Sequence, residues 1–219
     1  MRNAHTGNNR RHFIASALTL GTCPWALAAQ NTQKPHVLVF GDSLSAEYGL
    51  ARGTGWVALL AQQLKNQPAE VQITNASISG ETTSGGRSRL PALLRTHQPS
   101  VVVLELGAND ALRGLPLAGT RDNLRAMVQA AQGSGAQVLV LGVQMPPNYG
   151  KKYAQDFEQL FVQVAKERNA ALVPSLLKDV ADAADPTALF QADRIHPTAQ
   201  AQPILLRNVW PQLQPLLRP

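Results

Sequence analysis

The chain has 219 residues, 44% of them hydrophobic and 16% charged, which suits a single domain with a sizeable core and excludes fibrous and disordered classes. Its formal charge is +6, but the basic residues are scattered and aromatics make up only 5%, so nucleic acid is not an expected partner.

Residues 1–28 carry Arg2, Arg10 and Arg11 with no acidic residue, then the apolar run "FIASALTLGTCPWALAA" and the small-residue pattern Ala26-Leu27-Ala28. A basic start, an apolar middle and an A-x-A site are the layout of an export signal, too short for a membrane anchor. The expected division is therefore 1–28 signal peptide and 29–219 mature domain, periplasmic or secreted, with a net charge of +6 − 3 = +3. The Arg10-Arg11 pair leaves both general and twin-arginine export open. Cys23, the one cysteine, falls inside the signal, in a weak lipoprotein-like "LGTC". The mature domain then needs no disulfide.

Along the mature part, apolar runs of strand length recur at 36–40, 71–77, 101–107, 137–143 and 171–175. They are nearly continuous rather than alternating, as in strands covered on both faces. Between them, helical spacing is read at 54–66, 86–96, 116–132 and 153–169, with a last helix from Pro197 that Pro211 should kink or end. Such alternation predicts a three-layer α/β/α domain with a parallel sheet, whose ligands bind outside the carboxyl ends of the strands.

Four loops at that edge carry short polar groups: "GDSLS", "SISGETTSGG", "GAND" and "DRIHP". Taken singly, each reads as ordinary turn and cap chemistry. Together they supply what a serine nucleophile needs. Of the histidines after the signal, His36 and His97 belong at the opposite edge, so only His196 can act as base, with Asp193 three residues before it as orienter. Negative charge on an attacked carbonyl calls for donors. Ser43 is expected at a helix N-terminus with its own N–H free, Gly80 can bring a second N–H close, and the Asn109 amide is a third. Ser45 is assigned to the first helical turn, and Asp42 and Asp110 to shaping the loops.

These four blocks, in this order, resemble those of the GDSL or SGNH hydrolase family from about Val37 to Pro215, and "NASISGET", "ELGAND" and "PPNYGKKY" look most like its multifunctional periplasmic esterases. The resemblance implies a flavodoxin-like fold with a five-stranded parallel sheet. It implies Ser43, Asp193 and His196 as catalytic residues, and Ser43, Gly80 and Asn109 as the oxyanion hole. It also implies a metal-free, cofactor-free enzyme acting on acyl esters and thioesters. Arg194 departs from the pattern, standing where a small residue is usual between the acid and the base.

Ile78, Leu112, Met145, Pro146, Tyr149 and Ile195 are candidates to line an acyl groove. A monomer with no stable membrane span is expected. A carbohydrate deacetylase of the same family and a non-catalytic module binding an anion are the rival readings. A two-metal phosphoesterase would need more histidines at the edge.

Overall fold

The computed structural model describes residues 34–65, 70–145, 149–185 and 187–217, together with residues 1, 2 and 4. The export-signal features from Arg10 to Ala28 lie outside the described residues. All regular elements belong to the unit that starts at Gln33.

Five parallel strands, β1 (His36–Gly41), β2 (Gln72–Asn75), β3 (Val101–Glu105), β4 (Gln137–Leu141) and β5 (Ala171–Val173), form one sheet in the order β2-β1-β3-β4-β5. The runs read as buried on both faces behave so: every residue of β1 and β3 is buried, whereas the edge strand β2 is half-covered. Helices α1 (Trp56–Lys65) and α6 (Gln202–Leu213) pack together on one face. On the other lie α2 (Thr83–His97), α4 (Leu117–Gly133) and α5 (Lys151–Arg168), and a five-residue α3 (Ala108–Leu112) follows β3. Trp56, Leu60 and Leu64 on α1, and Phe157 and Phe161 on α5, seal the two faces. Burying each such side chain contributes about 1.5–3 kcal/mol.

The chain runs outward from β1 to β2, then crosses back to β3 and continues to β5. The carboxyl ends of β1 and β3 are thus the point where the winding reverses, and a crevice opens there.

Two expectations about helices are corrected. Residues 43–49 form successive turns instead of a helix beginning at Ser43, because Glu47 (φ 60°) and Gly49 (φ 71°) are left-handed and break the helical path. Pro211 does not end the last helix, which runs on to Leu213 and a 3₁₀ turn. Pro211 lies two residues before the α-helix ends, in its last turn, so the missing N–H costs a single bond. Among the described residues no helix is long and apolar enough to cross a membrane.

Candidate active site

Ser43 lies just past the end of β1, on the turn that replaces the expected helix. Its neighbour Asp42 is 1% exposed; one carboxylate oxygen accepts from the Leu44 N–H (3.1 Å), and the other accepts from the Asn109 amide (3.0 Å). Ser43 keeps a free hydroxyl, directed to the imidazole of His196 at 2.8 Å from Nε2.

His196 comes from the segment after β5, where Phe190 and Pro197 pair as an isolated antiparallel bridge. Asp193 organises that segment. One oxygen accepts from the N–H groups of Ile195 (2.9 Å) and His196 (3.0 Å), and the other meets His196 Nδ1 at 2.6 Å. Partial burial works to raise the Asp193 pKa, but these hydrogen bonds outweigh it and pull the carboxyl down to about 2. Asp193 is therefore an anion at any ordinary pH, and an imidazole held on Nδ1 by an anion presents Nε2 to the serine as a proton acceptor.

Asn109 sits in the first turn of α3 rather than in an open loop. An amide has two N–H groups; Asp42 holds one and leaves the other for a ligand. Gly80 is left-handed at φ 78°, where glycine is unstrained, and its carbonyl accepts from Arg113 (2.9 Å). Among the described residues neither the Ser43 nor the Gly80 N–H has a protein acceptor.

Beside these groups opens a cavity of about 910 Å³. Ser43, Asn109, Asp193 and His196 lie on its wall, as do Leu112, Met145, Tyr149 and Ile195 from the expected groove. Ile78 and Gly80 are not among the lining residues, Ile78 being about half exposed on its loop, and Pro146 falls outside the described residues. Sequence reasoning passed over Val143, Leu177 and Phe190, which complete the apolar wall. In sequence they are indistinguishable from ordinary core residues.

It also passed over Glu105. This last residue of β3 is fully buried, and its carboxylate accepts from the Ser45 hydroxyl (2.8 Å) and the Asp42 N–H (3.2 Å). Ser45 is thus buried against Glu105, and its expected helix-start role is corrected. Glu105 faces Gly41 in the sheet register, where a side-chain carbon would stand 2.6 Å from a Glu105 oxygen, so glycine is required there. Burial, then the neighbouring charge of Asp42, pushes Glu105 well above the carboxylate range. Asp42 is raised as well, to about 6, by burial that the Leu44 and Asn109 hydrogen bonds only partly offset. Both groups thus hold a proton more tightly than an exposed carboxyl would, beneath the turn that carries Ser43. The signal was a lone glutamate closing the apolar run "VVVLE".

His36 and His97 lie together at the far edge, rings edge to face at 5.8 Å. Among the described residues no cluster of His, Cys, Asp or Glu could hold a metal.

Residues 39–203 match the model of the GDSL-like lipase/acylhydrolase family. The chain belongs to that family. Among relatives of this GDSL-family chain, esterase TesA of Pseudomonas aeruginosa is 47% identical over 92% of this chain and 99% of its own length. Thioesterase 1/protease 1/lysophospholipase L1 of Escherichia coli is 39% identical over 83% of this chain and 84% of its own. A crystal structure of TesA superposes with a TM-score of 0.79 at 49% identity, covering 83% of this chain and 99% of that one. The fold is that of the SGNH hydrolases, and this GDSL-family protein is an ester hydrolase.

Proposed function

We propose that the protein is a serine esterase and thioesterase for acyl substrates, working through Ser43, His196 and Asp193 and an acyl-enzyme intermediate. The observation that carries this reading is the unbroken relay from Ser43 Oγ to His196 Nε2 (2.8 Å) and from Nδ1 to Asp193 (2.6 Å), opening on a cavity with a partly apolar wall. His196 takes the Ser43 proton as Oγ bonds to the acyl carbon. The carbonyl oxygen becomes an anion, received by the N–H groups of Ser43 and Gly80 and the free N–H of Asn109. Collapse breaks the C–O or C–S bond, and His196 passes its proton to the departing alcohol or thiol. Water then repeats the sequence on the acyl-enzyme, releasing the carboxylic acid and restoring Ser43.

Leu112, Val143, Met145, Leu177 and Phe190 on the cavity wall support acyl chains as substrates, while Gln144, Tyr149, Glu158 and Thr187 on the same wall leave room for a polar head group. Ala26-Leu27-Ala28 further supports export and cleavage before Ala29, which mass spectrometry of periplasmic protein would reveal as the mature N-terminus.

A fluorophosphonate should label Ser43 stoichiometrically in wild type and in Ser45→Ala but not in Ser43→Ala, with activity insensitive to EDTA. Graded p-nitrophenyl esters should show kcat/KM rising with chain length beyond acetyl. Label on another residue, or inactivation by chelator, would refute the chemistry.

A further inference from the structure

The proposed nucleophile and base arrive from distant parts of the chain, yet very little joins them. Among the described residues, two hydrogen bonds connect 42–50 with 187–198: the Ser43–His196 contact itself, and one from Gln191 Nε2 to the Tyr48 carbonyl at 2.9 Å. The same Nε2 donates to the Pro197 carbonyl at 3.1 Å. One carboxamide thus spends its two N–H groups on two backbone carbonyls, one beside the nucleophile and one beside the base.

The Gln191 backbone is tied into the base segment as well. Its N–H donates to the His196 carbonyl (2.7 Å), and its carbonyl accepts from the Arg194 N–H (2.9 Å). On the facing side, the nucleophile turn is fixed by Glu47, whose carboxylate accepts from Gly53 (3.0 Å) and Gly55 (2.8 Å). Each segment thus carries hydrogen bonds of its own, and Gln191 spans the two. Tyr48, held at its carbonyl by Gln191, lays its half-exposed ring over the His196 imidazole, centroids 4.3 Å apart and planes tilted by 37°.

We propose that Gln191 is a positioning residue that registers the nucleophile turn against the base segment, and that the Tyr48 ring it anchors holds the imidazole at Ser43. Because reaction between positioned groups falls about 10²-fold for a 1 Å misplacement, the bracket acts far more on the rate of attack than on acyl binding, which one segment's small shift changes only through Phe190 and Ile195. Glutamate at 191 keeps the shape but offers an acceptor where two carbonyls need donors.

This inference rests on Ser43 and His196 being nucleophile and base. The test compares wild type, Gln191→Glu, Gln191→Ala, Tyr48→Ala and Tyr48→Phe. Fluorophosphonate labelling rate, kcat and KM for a p-nitrophenyl ester, and melting temperature are measured for each. Both Gln191 variants and Tyr48→Ala should lose about 10- to 100-fold in labelling rate and kcat, with KM within about twofold and the melting temperature nearly kept. Tyr48→Phe, which retains the ring, should stay near wild type. Gln191 variants that label and turn over like wild type overturn the proposal. So does a loss confined to KM, or one that tracks the unfolded fraction. Failure of wild type to label at Ser43 would instead sink the catalytic assignment beneath it.

Discussion

Substituting Asn109 by alanine separates the role that the structure shows for this side chain from the one proposed for it. The amide donates to Asp42 through one N–H, and its second N–H is free for the oxyanion. The first role is structural. Removing it strips a hydrogen bond from a carboxylate that is 1% exposed, which costs about 1–3 kcal/mol. For a domain of this size that is a fall in melting temperature of roughly 2–12 °C. The proposed second role is catalytic: on that proposal the oxyanion exists only as the bond to Ser43 forms, and a donor aimed at it lowers the barrier without aiding ester binding. Loss of such a donor costs about 10²- to 10³-fold in kcat, or 2.7–4 kcal/mol, with KM little changed. Steady-state kinetics at a temperature where the variant is fully folded, with the melting curve taken in parallel, measures the two independently. An unchanged kcat beside a lowered melting temperature would show that Asn109 serves Asp42 alone.

Asp193→Asn should cut kcat/KM strongly while leaving the domain folded at pH 7. Because the native carboxyl is pulled down to about 2, its contribution to stability is present above about 4 and lost as pH falls toward 2, so acid melting curves should flatten in that variant. The Asp42–Glu105 pair has the opposite sign: both groups hold protons more tightly when folded, so their contribution is complete below about 4 and is lost as pH rises through about 6 and beyond. Glu105→Gln should weaken that alkaline-side decline, and a melting temperature with the same pH slope in both proteins would refute it. Arg194 has φ 58°, so Arg194→Gly should relieve about 1–2 kcal/mol of backbone strain, partly offset by a freer unfolded chain, and raise the melting temperature by a few degrees. The same variant should lose more kcat/KM on an acyl-CoA than on a neutral p-nitrophenyl ester, since Arg194 lines the cavity.

The order of strands and helices was legible because each apolar run is continuous and each intervening segment keeps helical spacing. Ser43, Asn109, Asp193 and His196 were legible as a group because a parallel sheet sends every post-strand loop to one edge. The turn at 43–49 was not, since a left-handed Glu47 has no mark in the sequence and is held by its own carboxylate on Gly53 and Gly55. Glu105 hid at the end of a strand that otherwise reads as plain core. Ile78 stands half exposed off the cavity wall, because a loop's place at the correct edge does not say which of its side chains turn inward.

Ser43 follows the first strand and His196 the last, 153 residues later, with every other strand laid down between them. A chain that stops short of His196 lacks the proposed base altogether, and one that lacks the first strand loses the seat of the proposed nucleophile. Turnover is therefore a signature of completed folding.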